Sequence, residues 1–94
     1  MEQLVSSISS TQEVAMYWRS CLVEFSTVGE RDVVLSMLSI SQSDYFIDLY
    51  DSEENPAITK IFNDLAELDQ PDLDIETRGN LWELVRNQMH GLES

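Results

Sequence analysis

The two prolines of this chain enclose its clearest helical pattern. Asn55 and Pro56 are typical of a helix start, because an asparagine side chain can cap a helix and proline fits the first helical position. Pro71 requires the helix to end earlier, since the residue before a proline avoids the α region. The apolar residues in between recur at three- and four-residue steps, which places them on one helix face: Ile58, Ile61, Phe62, Leu65 and Leu68. Asp64 and Glu67 are predicted to lie off this face.

Segments before this helix have the same periodicity. Ser10 and Glu13 form a capping box, and the apolar face that follows continues to Gly29, which ends the helix. Residues 33–41 favour a helix, although the end of this segment also alternates with the period of a strand. Ser43 caps a further short helix. The serine-rich N-terminal segment is predicted to be a short helix or a docked arm with three apolar residues at helical spacing: Leu4, Val5 and Ile8.

The last helix is predicted to begin after Asp74, with Glu76 in the first turn, where the helix dipole favours an acid. Gly91 is predicted to end it. Its inner face is predicted from the residues at helical spacing: Ile75, Gly79, Leu81, Trp82, Leu84, Val85 and Met89. The whole pattern predicts an all-α fold, a single domain over residues 1–94 built as a compact bundle of four to five short helices.

A single cysteine excludes an internal disulfide. Cys21 lies in the apolar face of its helix and is predicted to be a small buried residue rather than a reactive thiol. The N-terminal segment has neither the basic start nor the apolar run of a signal peptide. No segment reaches the ~20 apolar residues of a membrane helix. We therefore expect a cytoplasmic protein that does not bind membranes.

The residue types that enzymes need are scarce in this chain. It has one His, one Cys and five Lys or Arg, which provides no nucleophile with a base and an orienting group. His90 falls in the last helical turn, where exposed carbonyl groups favour a cation, and this position accounts for it without a catalytic role. No glycine-rich phosphate loop and no zinc-ligand spacing occurs. We expect no catalysis, no metal and no cofactor.

A calcium loop is the one metal-site alternative. Asp72, Asp74 and Glu76 stand at positions one, three and five of a twelve-residue segment that ends at Glu83. The sixth position, which must be glycine for the turn, is Thr77, and the segment from Asp74 onward has a helical pattern. We therefore predict a solvated acidic turn here.

The charge of the chain is its most informative property. Its formal net charge is −13, and the stretch from Asp44 to Glu76 contains eleven acids against Lys60 alone, a net charge of −10. Such a surface excludes nonspecific binding to nucleic acid or anionic membranes and favours a basic partner. Closely spaced carboxylates can imitate a phosphate backbone and fill the basic groove of a nucleic-acid enzyme. An inert solvated face remains the alternative.

Residues 66–74, AELDQPDLD, resemble a motif of the colicin D-type immunity proteins, a family that includes relatives accompanying contact-dependent growth-inhibition toxins. The family pattern is Ala-Glu, three residues, Pro-Asp, one residue and Asp. Downstream in the family, a Gly and a Leu precede a helix that ends in a Val-Arg pair, and these residues correspond to Gly79, Leu81, Val85 and Arg86. The resemblance covers roughly the C-terminal third. The chain differs in a shorter connection after Asp74 and in lacking the family's basic run.

The resemblance implies an all-helical inhibitor of a toxic tRNA-cleaving nuclease, a bacteriocin-type immunity protein. By motif position, Glu67 and Asp72 are expected to face the catalytic His and Lys groups of the toxin. Asp69 and Asp74 are expected to be supporting acids, and Asp64 a contact at the rim. The expected partner is the basic nuclease domain of the cognate toxin, with no direct contact to nucleic acid.

Two further functions use other features of the sequence. A phage-encoded inhibitor of a host defence nuclease would rely on the same acidic surface with a different partner. A small adaptor would instead bind partner helices through its apolar stripes, and it would expose Trp18 or Trp82 to solvent.

Overall fold

The computed structural model describes residues 7–93, and within this range the chain forms six α-helices, with a 3-10 turn between the third and the fourth. In chain order they are α1 Thr11–Val23, α2 Phe25–Val28, α3 Glu30–Leu38, the 3-10 turn Ser39–Gln42, α4 Asp44–Ser52, α5 Pro56–Leu68 and α6 Ile75–Glu93. No strand occurs among the described residues, so the predicted all-α bundle is confirmed and residues 33–41 are helical. Two residues of the predicted N-terminal arm, Leu4 and Val5, lie outside the described range, whereas Ile8 is buried in the core.

Two of the predicted helix starts use the predicted side chains. The Glu13 amide donates to Ser10 Oγ at 3.2 Å, and the Glu13 carboxylate accepts from the Ser9 amide at 3.1 Å. The Phe46 amide donates to Ser43 Oγ at 3.2 Å at the start of α4. These bonds satisfy amide groups that the first helical turn leaves without partners.

The start of α5 differs from its prediction. Asn55 occupies the N-cap position, but its side chain makes no capping bond. Its backbone instead accepts from the Ile58 amide at 3.1 Å, a bond that closes the first turn tightly. Pro56 at the first helical position has no amide to satisfy, which reduces the need for a side-chain cap.

The helix predicted to run from the Ser10 cap to Gly29 is divided into α1 and α2. The Glu24 amide donates to the Cys21 carbonyl at 3.1 Å, which tightens the last turn of α1, and a single-turn α2 follows. Gly29 then ends α2 with φ of +95°, a conformation that favours glycine. This division is why the described residues contain more helices than the four to five expected.

The core is built around Trp18, which is fully buried. Its Nε1 donates to the Met37 carbonyl at 3.0 Å, and its ring meets Phe46 edge-on with centroids 5.9 Å apart. Trp82 is also buried and packs edge-on against Phe25 at 5.2 Å. The adaptor alternative required an exposed tryptophan, and neither is exposed.

Cys21 is buried in the same core, as its position in the apolar stripe predicts. Burial raises the pKa of its thiol, because the apolar surroundings disfavour the thiolate. The side chain therefore acts as a small apolar residue of α1. None of the helices in the described range is long and apolar enough to span a bilayer.

The first turns of α6 do not pack into the core. Side chains of α6 become buried only from Leu81 onward, and Ile75 is 86% exposed. The predicted inner face is therefore wrong for Ile75, Gly79 and Leu84, all of which are exposed, and correct for Leu81, Trp82, Val85 and Met89. The helix also continues through Gly91 to Glu93, so the predicted end is two residues early.

Candidate interaction surface

Ten of the eleven acids between Asp44 and Glu76 are exposed. They lie along α4, in the connection between α4 and α5, at the end of α5, in the turn that follows and in the first turn of α6. The fold thus places nearly all of the −10 charge of this stretch in solvent. Only Asp64 is buried.

Residues 69–74 form the acidic turn, which connects α5 to α6. Its backbone is fixed to the end of α5: the Asp69 amide donates to the Leu65 carbonyl at 3.2 Å, and the Gln70 amide donates to the Glu67 carbonyl at 3.1 Å. Leu73 packs against the core and holds the middle of the connection. Three exposed carboxylates project from this turn: those of Asp69, Asp72 and Asp74.

Arg78 fastens the acidic turn to the rest of the protein. Its Nη2 donates to the Leu73 carbonyl at 3.2 Å, and its Nε lies 3.2 Å from Glu30 Oε2. The contact at Nε is an ion pair without hydrogen-bond geometry, since Nε has no hydrogen-bond acceptor among the described residues. The turn is therefore tied to α6 and α3 at once. The sequence pattern gave no sign of this role, because its two partners come from different parts of the chain.

Asp74 begins α6 as predicted. Hydrogen bonds from Thr77 hold the pKa of the Asp74 carboxyl below its usual value, because they stabilise the ionised form. The Arg78 amide donates to the Asp74 carbonyl at 3.0 Å and opens the helix. Asp74 is thus charged and also has a structural task, whereas Asp72 has only its exposed position in the turn.

Glu67 lies on the outer face of α5, as predicted, and its side chain is exposed. It is one residue before Leu68, the last residue of α5, so it stands next to the acidic turn. The structure therefore brings four of the five predicted contact residues to one end of the molecule: Glu67, Asp69, Asp72 and Asp74.

Asp64 is the exception, and its predicted position off the apolar face is wrong. Only 3% of the residue is exposed. Its Oδ1 accepts from Lys60 Nζ at 2.8 Å and its Oδ2 accepts from Gln88 Nε2 at 3.1 Å. The extensive packing of α6 against α5 covers this flank of α5 and provides Gln88 as a partner. Asp64 therefore joins two helices and does not present a carboxylate at the rim.

The acids of the turn differ in their electrostatic surroundings. Asp69 borders a cleft of about 330 Å³ that Arg31 and Arg78 also line, together with Glu30. Asp69 thus shares a cleft with two arginines and one glutamate. Asp72 is not among the residues that line this cleft. The two acids therefore differ in their neighbours: Asp69 borders the cleft, whereas Asp72 does not.

The calcium alternative does not agree with this geometry. α6 begins at Ile75, so most of the twelve-residue segment from Asp72 to Glu83 is helix rather than loop. In the part of the chain that the structure describes, no group of three or more His, Cys, Asp or Glu side chains is placed to hold a metal ion.

Comparisons with protein-family models, with curated proteins and with solved structures give no match for this chain. The geometry and charge of this surface, together with the motif at residues 66–74, are therefore what bear on function.

Proposed function

We propose that this protein is a cytoplasmic immunity protein that binds a cognate, tRNase-type nuclease toxin and blocks its basic active site. One observation carries the proposal. Within eight residues, four acids are exposed at the end of α5 and on the acidic turn, which is tied to α6 and α3: Glu67, Asp69, Asp72 and Asp74. The resemblance of residues 66–74 to the colicin D-type immunity motif supports the class of partner.

In this proposal the carboxylates take the place of RNA phosphates. Glu67 and Asp72 face the catalytic His and Lys groups of the toxin, and Asp69 and Asp74 support them. Because the turn is fixed before contact, little conformational entropy is lost when the partner binds. The net charge of −13 increases the association rate with a basic domain. The protein acts as a stoichiometric inhibitor, without catalysis and without a cofactor.

Co-expression with the open reading frame immediately upstream tests the proposal. We expect the C-terminal domain of that neighbour to be lethal alone, to be tolerated with this protein and to co-purify with it. A harmless neighbour that does not bind would contradict the immunity function. The same surface would then be tested as an inhibitor of a host defence nuclease, the alternative that shares its phosphate mimicry.

Charge reversal at Asp72 tests the surface itself. Asp72→Lys should slow association, speed dissociation and weaken binding by about tenfold or more, because it places a cation against the basic groove. Stopped-flow and surface plasmon resonance measure both rates, and circular dichroism checks that the fold is retained. Glu83→Lys is the matched control, because Glu83 is an exposed acid of α6 outside the acidic stretch and the change in net charge is the same. Equal effects of the two substitutions would contradict a local role for Asp72.

A further inference from the structure

Ile75 has an unusual position for a large apolar residue. It is 86% exposed, more than any other large apolar side chain in the described range. It is also the first residue of α6, directly between Asp74 and Glu76. Single exposed apolar residues are common on protein surfaces, so exposure alone assigns no role. The neighbours of Ile75 make it different.

Gly79 follows one helical turn later on the same face of α6. It lies inside a helix, where glycine is less stable than alanine because its backbone loses more freedom on folding. A Cβ atom added at Gly79 would meet no atom within 4 Å, so packing within the protein does not require glycine here. Glycine at this point leaves the helix backbone open to close approach from outside.

The charge around this face indicates the kind of partner. Asp72, Asp74 and Glu76 are exposed beside Ile75, whereas Arg78 is engaged with Glu30 and the Leu73 carbonyl. The next most exposed apolar residue, Val23, lies instead in a groove with Arg19 and Arg86. A basic partner would be repelled from that groove and attracted to Ile75.

We propose that Ile75 and Gly79 form the centre of the contact with the basic nuclease domain. Ile75 enters an apolar pocket of the partner whose rim carries Lys and Arg side chains, and those side chains meet Asp72, Asp74 and Glu76. The partner's main chain packs closely over Gly79. This arrangement, an apolar anchor surrounded by charged groups, is the usual anatomy of an interface hot spot. The inference rests on the proposed function and moves the centre of the interface from the acidic turn to the first two turns of α6.

The test measures binding of the full chain to the C-terminal domain of the upstream neighbour by surface plasmon resonance. Ile75→Ala should weaken binding by about tenfold, mainly through faster dissociation, because an anchor is lost while the fold is not disturbed. Gly79→Ala should raise Tm by improving the helix and still weaken binding by about fivefold, because the added methyl group blocks close approach. If Gly79 had only a structural role, Gly79→Ala would raise Tm without weakening binding.

Each variant has a matched control. Val23→Ala removes a similarly exposed aliphatic side chain on α1, and Gly91→Ala adds the same methyl group to another open position of α6. Both controls should bind like the wild type. Wild-type affinity of either Ile75→Ala or Gly79→Ala, or an equal loss in its control, would overturn the inference. If the inference about Ile75 and Gly79 were overturned but Asp72→Lys still weakened binding, the proposed function would stand without this inference. If the wild type bound no partner, both would fall.

Discussion

Asp64 and Glu67 lie three residues apart on α5 and have opposite surroundings. Asp64 is buried between Lys60 and Gln88, whereas Glu67 is exposed beside the acidic turn. Three residues along an α-helix correspond to a rotation of about 300° around its axis, which is about 60° short of a full turn. This rotation moves the carboxylate from the flank that α6 covers to the face that solvent covers. The same kind of residue is therefore part of the fold at one position and part of the surface at the next.

This difference shows that net charge alone is a poor guide to a binding surface. The acidic stretch reads as one block in the sequence, but one of its members serves to hold helices together. Buried carboxylates need partners, and Asp64 obtains one from its own helix and one from α6. Exposed carboxylates need none, so their spacing is free to match another molecule.

The largest expected effect is on stability at Asp64. Asp64→Ala should lower the free energy of unfolding by about 2 kcal/mol, because it removes a charged hydrogen bond between α5 and α6 and leaves the Gln88 amide with only the Leu84 carbonyl as an acceptor. The ion pair itself contributes little, since the Lys60 side chain is 54% exposed. Urea denaturation measures the change. Glu67→Ala is the control, and its free energy of unfolding should stay within about 0.5 kcal/mol of the wild type while it weakens binding to the proposed nuclease partner. Equal free energies of unfolding for Asp64→Ala and Glu67→Ala would contradict a structural role for Asp64 that Glu67 lacks.

A smaller effect is expected where the acidic turn is fastened. Arg78→Ala should lower the free energy of unfolding by about 1 kcal/mol, because it removes a hydrogen bond to the Leu73 carbonyl and an ion pair with Glu30 whose side chains are about one-third exposed. Amide hydrogen exchange should become faster in residues 70–74 and remain unchanged in α1. Arg31→Ala removes the other arginine of the same cleft and should leave exchange in the turn unchanged. Unchanged exchange in Arg78→Ala would show that Leu73 alone holds the turn.

The smallest effect concerns the pH dependence at Asp74. Its pKa is lowered in the folded state by hydrogen bonds from Thr77, so the stability it provides is present above the ordinary value of 3.8 and is lost as the pH falls below it. Asp74→Asn keeps a capping side chain but does not titrate. The Tm advantage of the wild type over this variant should therefore shrink between about pH 6 and about pH 3. A difference in Tm that stays constant over this range would contradict the assignment.

Local signals in the sequence were sufficient for most of the fold. The capping pairs at Ser10 and Ser43, the restriction imposed by Pro71 and the stripe of α5 depend on neighbours a few residues away, and all are found in the structure. Periodicity also assigned residues 33–41 to a helix correctly. These features need no knowledge of how the helices meet.

The predictions that failed concern residues whose burial or contacts depend on segments far away in the sequence. Asp64 is buried because Gln88 comes from α6, and Ile75 is exposed because no other helix covers the first turn of α6. Arg78 links Glu30 to the turn across many residues of sequence. Helical periodicity assigns a face to each residue but cannot say how far along a helix its neighbours extend. The exposure of most acids of the candidate surface was therefore predictable, whereas the exposure of Ile75 and the contacts of Arg78 were not.

The distribution of charge along α6 has a consequence for how the molecule approaches a partner. Acids surround its first turn, whereas Arg86 lies about 17 Å further along the helix, in a groove with Arg19. In the electric field of a basic surface, such an uneven arrangement experiences a torque as well as an attraction. Beside the proposed basic partner, this torque would turn the first turn of α6 toward that partner, so that fewer collisions would occur in unproductive orientations. Because this alignment acts at a distance, it depends on the arrangement of many charges and would survive the loss of any one of them.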